Sequence, residues 1–180
     1  GLLSEDNRKI EELKKITVQD NHEKPLYTQA LYELGRTYVQ TGKDREALEI
    51  MDRLINNPPD SLYWHKALLE AGMISANKGR HDEALAYYRQ IVESNGVNEE
   101  IQSALAGMEN IYRQLNKPGE YLAYLDKIGM SQTKSASERE MMLFNSAEQV
   151  FLSGDYTAAI NALHTFLEKF PQGAKSSHAT

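Results

Sequence analysis

The chain has 180 residues, of which 41% are hydrophobic and 26% charged, as expected of a globular rather than a disordered protein. Its net charge of −6 argues against the basic surface that nucleic-acid binding normally requires. There is no cysteine, which excludes disulfides, thiolate catalysis and cysteine-based metal sites. No apolar run approaches the roughly 18 residues of a membrane-spanning helix, so we expect no membrane insertion.

The first predicted element is a helix over residues 4–17. Ile10, Leu13 and Ile16 recur at helical spacing and form an apolar stripe. Glu11 and Lys15 lie four residues apart, which is typical of a solvent-exposed helix face. In the register of the repeats described below, we expect this helix to be the second helix of a partial preceding repeat, or a cap.

From residue 25 onwards the sequence repeats itself about every 37 residues. Ala47 in "REALEIM" corresponds to Ala84 in "DEALAYY", 37 residues later. A further 37 residues lead to Tyr121, and 38 more lead to Ala159. Other columns keep this register: Gly35 and Gly72; Gly42, Gly79 and Gly154; Met51, Tyr88, Leu125 and Leu163. A fixed period of this length is typical of stacked repeat architectures.

We place the repeats, of which the third is degenerate, in a single domain over residues 1–180. Their predicted boundaries are 25–60, 61–96, 97–133 and 134–172. Residues 173–180 are expected to begin a further, truncated helix.

Each repeat is predicted to form two helices, which makes the fold all-α. Apolar residues recur three and four apart, and no sustained alternation indicates a strand. The column of Gly42 lies where the first helix should end, a position that often needs left-handed backbone. Gly35 and Gly72 lie inside that helix, where glycine costs roughly 1 kcal/mol against alanine. We therefore expect the partner helix to approach closely there, with small residues facing it: Ala47, Ala84 and Ala159.

The stretch "LYELGRTYVQTGKDREALEIMDRLINNPP" resembles a tetratricopeptide repeat. The first repeat supplies that family's pattern with Leu31, Leu34, Gly35, Tyr38, Gly42, Ala47, Met51 and Pro59. The second departs from it at Ala71 and Ser75, and the third has Tyr121 in place of the small residue, where helix packing should be wider or shifted. The resemblance covers residues 25–172 and implies an α-solenoid of antiparallel helix pairs, wound as a right-handed superhelix.

A narrower resemblance concerns the long period and the phrase "FLEKFPQGAKSSHA". Both are similar to repeats of bacterial envelope proteins, including long envelope arrays. This resemblance implies a periplasmic or envelope location, and a cytoplasmic location stays open.

No motif for catalysis or metal binding is present. None of the five histidines pairs with another at helical spacing, and there is no H-E-x-x-H motif or calcium-binding loop. Asp60, Ser61 and His65 lie on one local turn without an oxyanion motif, so we reject a catalytic triad. We interpret His65 as a surface or partly packed structural residue, and predict a protein without catalytic activity or cofactor.

The resemblance implies that the first helix of each repeat lines a concave groove. By the family's groove positions, the candidate partner-binding residues are Gln29, Tyr32, Arg36, Lys66, Leu69, Met73, Asn77, Asn110, Arg113, Phe144, Glu148 and Phe151. Such a mixture of amides, cations and apolar groups suits an extended or helical peptide. The carboxylate clamp of chaperone-tail-binding members is absent, since Tyr32 and Glu70 occupy its positions. We expect a protein-interaction scaffold that binds a peptide or partner protein in this groove.

Three other functions stay open: a structural or self-associating section of a longer array, a glycan-binding module, and an accessory domain of an enzyme. In "MMLFNSAEQVFL", Met141, Phe144 and Phe151 either pack on neighbouring helices or form an apolar partner or self-association face. Trp64 is either a linker aromatic packed into the hairpin below or a glycan-stacking platform.

Overall fold

The computed structural model describes residues 2–18, 25–56, 61–94 and 98–179. Within these ranges the chain is helical and contains no β-strand, which confirms the all-α prediction. The elements are α1 (Leu2–Val18), α2 (Pro25–Gln40), α3 (Asp44–Asn56), α4 (Ser61–Asn77), α5 (His81–Val92), α6 (Asn98–Gln114), α7 (Pro118–Lys127), a 3-10 turn (Ser131–Thr133), α8 (Ala136–Leu152), α9 (Tyr156–Lys169) and α10 (Ser176–Ala179). Pro59 and Asp60 lie outside the described residues.

From α2 onwards the helices follow one another in pairs joined by a three-residue turn. In order these are α2 with α3, α4 with α5, α6 with α7, and α8 with α9. The helices of the first, second and fourth pairs pack on each other as antiparallel neighbours. None of the described helices is both long and apolar enough to cross a lipid bilayer.

The structure divides into two compact units, Gly1–Met108 and Glu109–Thr180, with α6 running through the division. In the first unit α1 packs on α2, and α3 lies between α2 and α4. The apolar core there joins side chains of α1 to α4: Ile10, Tyr27, Leu31, Leu34, Tyr38, Ala47, Ile50, Met51, Leu54, Ala67, Ala71 and Ile74.

The second helix approaches the glycines of the first helix closely, but the nearest side chains are large ones rather than the expected alanines. A Cβ atom on Gly35 would lie 2.6 Å from the Met51 methyl carbon, and one on Gly72 would lie 2.5 Å from Cε1 of Tyr88. Gly107 in α6 approaches the same ring from another side, 2.6 Å from its Cζ. The Tyr88 ring is therefore held between two glycine surfaces.

Left-handed backbone occurs in all four turns within the helix pairs. Gly42, Gly79 and Gly154 have φ of 71°, 72° and 86°, which glycine adopts without steric cost. In the third turn Asn116 takes this place with φ 56°. Asn116 lies 37 residues after Gly79, so it belongs to the same column, and asparagine tolerates this conformation better than most residues.

In the second unit α8 packs on α9 and also contacts α7. Ser135 and Glu138 form a capping box at the start of α8, and Asp155 caps α9 by accepting from the Ala158 N–H at 3.0 Å. Arg139 binds the Asp126 carboxylate with two nitrogens, at 2.6 and 3.2 Å, and so fixes the segment between α7 and α8.

The C-terminal segment docks on the start of α8. The buried Glu140 carboxylate accepts from the Lys175 backbone N–H at 2.8 Å, and the Lys175 ammonium lies 5.7 Å from the Phe144 ring centre. Phe144 also meets Phe166 edge-on, with ring centres 5.5 Å apart. These contacts hold the short helix α10 beside α9.

Candidate functional site

In the first unit, α2 and α4 present a cluster of aromatic and charged side chains. The rings of Tyr32 and Tyr63 lie 5.6 Å apart, and the Lys66 ammonium is 5.8 and 5.5 Å from their centres. The Glu70 carboxylate accepts from the Tyr32 hydroxyl at 3.4 Å and lies 3.6 Å from Nε of Arg36. Tyr32, Arg36 and Lys66, which sequence analysis had assigned to the groove, therefore lie together.

The Tyr32 phenol stays protonated over a wide pH range. Burial raises the pKa of Tyr32 to about 12, and the neighbouring Glu70 carboxylate adds to the effect. Around this cluster, Gln29, Met73 and Asn77 are exposed and Leu69 is half-buried. The face can thus offer amide, cationic and apolar groups to a ligand.

In the second unit, a cleft of about 590 Å³ opens between α8 and the segment where α6 ends and α7 begins. It is lined by Glu109, Arg113, Asn116, Pro118, Lys134, Glu138, Met141, Met142, Asn145, Ser146 and Gln149. We call it the α8 cleft.

The row of α8 residues that lines this cleft differs in type from the equivalent rows of earlier first helices. On α4 the row is Ala67, Ala71 and Ile74, which belongs to the apolar core of the first unit. On α6 the equivalent residues are Ala104, Met108 and Ile111, which are also buried. Continuing the register places Met142, Ser146 and Gln149 there on α8. Because two of these three are polar, this row does not close against its neighbour as an apolar seam.

Of the two acidic residues that line the α8 cleft, Glu109 is paired with two cations. The Glu109 carboxylate lies 2.9 Å from the Arg113 guanidinium and 2.7 Å from the Lys134 ammonium. Glu109 and Lys134 are largely buried, whereas the Arg113 side chain is 71% exposed. Arg113 therefore keeps donors available for a ligand.

Two links to α8 define the rest of the cleft wall. The Ser146 hydroxyl donates to Oδ1 of Asn116 at 2.7 Å, and the Asn116 amide donates to the Ser146 carbonyl at 3.3 Å. Met141, Asn145 and Gln149 are exposed and follow at four-residue steps, so they share one face of α8.

The predicted groove residues of the second unit lie in different environments. Arg113 lines the cleft, while Asn110 and Glu148 are exposed outside its lining. Phe151 is exposed beside Tyr156, with ring centres 5.5 Å apart. The assignment of Phe144 to an accessible groove needs correction, because this ring is only 9% exposed and packs on Phe166.

Several cleft residues were missed by sequence reasoning. Asn145 and Gln149 were not selected, because the groove positions taken on α8, Phe144 and Glu148, were one residue away. Lys134 was not selected, because it precedes α8 and lies outside the first helices. In the row of Met142, Ser146 and Gln149, two polar residues replace the apolar residues of the equivalent rows on α4 and α6. The cleft could have been predicted from this feature of the sequence.

Trp64 and His65 differ from their expected environments. Trp64 lies in α4 rather than in a linker, and its half-buried ring packs edge-on against His65 at 4.9 Å. His65 is buried, with Nε2 2.8 Å from the Ser94 hydroxyl and Nδ1 3.4 Å from the Glu100 carboxylate.

This network has the composition of a catalytic triad but not its proton arrangement. The Ser94 hydroxyl donates to the Ile91 carbonyl at 2.7 Å, so its oxygen is left to accept from the imidazole. A nucleophilic serine needs to donate to the histidine instead. The network therefore links α4, the turn after α5, and α6 through a buried polar contact. In the described part of the chain, no cluster of three acidic or histidine side chains could hold a metal ion.

The helix pairs, left-handed turns and exposed first-helix side chains define an α-helical repeat protein. Two family models, both described as tetratricopeptide repeat, match the chain, one over residues 29–61 and 110–173 and the other over residues 65–98. The chain belongs to the tetratricopeptide repeat family, whose repeats generally mediate protein–protein interactions and are typically non-catalytic.

The chain is also similar to the uncharacterized protein y4yS of Sinorhizobium fredii (strain NBRC 101917 / NGR234). The two are 32% identical over 80 residues, which make up 44% of this chain and 42% of that protein. The match thus spans less than half the length of this relative.

Proposed function

We propose that this protein is a non-catalytic scaffold that binds a peptide segment of a partner protein, and that the α8 cleft is a binding site. The observation that supports the proposal is the cleft itself, which combines thioether, amide and guanidinium groups on one concave surface. Its volume of about 590 Å³ falls within the range of ligand sites and suits a few side chains of a peptide.

The chemistry of the lining fits peptide recognition. Met141 and Met142 offer flexible, polarizable side chains that adapt to apolar groups of different shape. The amides of Asn145 and Gln149 can both donate to and accept from a peptide backbone. Arg113 can bind a carboxylate with two parallel hydrogen bonds.

The exposed face of α2 and α4 in the first unit is a second candidate contact surface. Tyr32, Arg36 and Lys66 lie within one cluster there, and Met73 is exposed on the same helix as Lys66. Large aromatic and arginine side chains contribute strongly to protein interfaces.

Selection from a random peptide library displayed on phage tests the α8 cleft directly. Enriched peptides are synthesised and their affinity is measured for the wild type and for Gln149→Trp, which fills the cleft. The matched control is Ala123→Trp on α7, an exposed residue of the same unit outside the cleft.

We expect Gln149→Trp to weaken binding by about tenfold or more, equivalent to 1.4 kcal/mol, while Ala123→Trp leaves the affinity unchanged. Arg113→Glu should weaken the binding of peptides that carry a carboxylate. If the peptides bound Gln149→Trp as tightly as the wild type, their binding site would lie outside the α8 cleft.

A further inference from the structure

Two adjacent methionines, Met141 and Met142, line the α8 cleft and depart from the repeat pattern. At the two equivalent positions the other three first helices have a polar residue followed by an alanine: Gln29 and Ala30, Lys66 and Ala67, Ser103 and Ala104. Two neighbouring thioethers are therefore a feature of this cleft rather than of the repeat. We call them the methionine pair.

All sulfur in the chain belongs to methionine, since there are six methionines and no cysteine. These methionines differ widely in exposure. Met51 and Met108 are fully buried, whereas Met141 is 50% exposed and Met73, in the first unit, is 52% exposed. Met142 is half-buried. An oxidant dissolved in the solvent therefore reaches the sulfur of Met141, while packing shields the two core methionines.

Oxidation of a thioether by hydrogen peroxide is a balanced two-electron step. The sulfur attacks one peroxide oxygen and the O–O bond breaks. The second oxygen takes the proton of the transferred hydroxyl and leaves as water. The sulfur is oxidised to a sulfoxide, which is polar where the thioether was apolar, and the peroxide is reduced. Methionine sulfoxide reductases reverse the change, with thiols as the electron donors.

A sulfoxide on Met141 would form where the α8 cleft is least polar. Among the described residues that line the cleft, Pro118 and the methionine pair are the apolar ones, and the others carry carboxylate, amide, hydroxyl or cationic groups. An aliphatic or aromatic peptide side chain that packs on a sulfoxide covers its oxygen without donating to it. Because burial of an unpaired acceptor is costly, oxidation opposes such contacts.

We propose that the methionine pair makes the α8 cleft sensitive to oxidation. The reduced cleft accepts an apolar side chain of a peptide, and conversion of Met141 to its sulfoxide by a peroxide weakens that contact reversibly. The inference rests on the peptide binding proposed above and adds its regulation. The fold tolerates this modification, because the Met141 side chain already faces solvent and is not part of the buried core.

The first measurement needs no ligand. The protein is treated with hydrogen peroxide for increasing times, and mass spectrometry of its proteolytic fragments locates each added oxygen. Met141 and Met73 are equally exposed, so we expect both to be oxidised at similar rates and well before Met51 and Met108. If Met141 were oxidised as slowly as Met108, the proposal would be overturned whatever the peptide measurements showed.

The second measurement uses the phage-selected peptides, synthesised with norleucine in place of any methionine. Their affinity is measured by fluorescence anisotropy before and after peroxide treatment of the wild type, of the double variant Met141→Leu/Met142→Leu and of Met73→Leu. Leucine is an apolar residue of similar volume that peroxide does not oxidise. Each protein is compared with its own untreated form, so the effect of a substitution on binding itself cancels.

We expect peroxide to weaken peptide binding by about tenfold in the wild type and in Met73→Leu, and to have no effect on the affinity of the double variant. Methionine sulfoxide reductase should restore the affinity of the treated wild type. The double variant keeps Met51 and Met108, so a loss of binding caused by oxidation and unfolding of the core would appear in it as well.

An equal loss of affinity in the wild type and the double variant would place the sensitive sulfur outside the methionine pair and overturn the proposal. Unchanged affinity of a wild type that carries the Met141 sulfoxide would also overturn it. If no selected peptide is weakened by Gln149→Trp, the peptide binding proposed for the cleft fails and its regulation with it. If peptides depend on Gln149 but ignore oxidation, the regulation alone fails.

Discussion

The substitution Gly72→Ala sets helix propensity against packing at the Tyr88 ring. In an exposed helix interior, replacing glycine with alanine gains about 1 kcal/mol. At position 72 the added methyl group would lie 2.5, 2.9 and 2.9 Å from three carbon atoms of a buried ring. The ring cannot retreat freely, because Gly107 touches it from α6. Overpacking of this kind costs about 1–3 kcal/mol, and we expect a cost near the upper end of this range here.

The expected net effect is a loss of about 2 kcal/mol, which lowers the melting temperature of a chain of this length by about 4–8 °C. Urea and thermal unfolding measure it. Two control substitutions show how the loss of stability depends on the space around the added methyl group. Gly35→Ala meets the flexible end of Met51 and should cost less, whereas Gly119→Ala meets only Leu143 at 3.6 Å and should not destabilise. If Gly72→Ala were as stable as Gly119→Ala, the ring would not be held as described and the reasoning would fail.

Two further predictions concern buried polar groups. Ser94→Ala leaves Nε2 of buried His65 without this partner and should cost about 1–3 kcal/mol in urea unfolding, whereas the exposed control Ser103→Ala should stay within about 0.5 kcal/mol; equal stabilities would contradict the network. Burial raises the pKa of Tyr88 and of Tyr121 to about 12, above the value of about 10 in the unfolded chain. The unfolded state therefore loses protons first, and stability should fall as pH rises from about 10 to about 12, less steeply in Tyr88→Phe. The urea midpoint of unfolding is measured across this pH range for both proteins. If it fell equally steeply with pH in the wild type and in Tyr88→Phe, the assignment would be refuted.

Much of the fold follows from periodic residue types. The glycine inside the first helix and the glycine in the turn are needed for separate physical reasons, close approach and left-handed backbone. The spacing of these two glycines along the sequence therefore predicts a helix pair. A pattern based on glycine alone misses the third turn, because Asn116 adopts the left-handed conformation there.

The environments of single side chains were harder to predict than the helices. His65 lies on a predicted helix start, yet its partners are Ser94, in the turn after α5, and Glu100, in α6. Phe144 is buried because Phe166 and the segment around Lys175 meet on it. Contacts between residues this far apart in sequence have no local signature.

For the peptide binding proposed above, the links across the α8 cleft have a thermodynamic consequence. Glu109 with Lys134, Asn116 with Ser146, and Asp126 with Arg139 connect the two walls and the segment between them before any ligand arrives. A preorganised site loses little conformational entropy on binding, so most of the ordering cost falls on the incoming peptide. Association then requires no opening step, and differences between peptides should appear mainly in their dissociation rates.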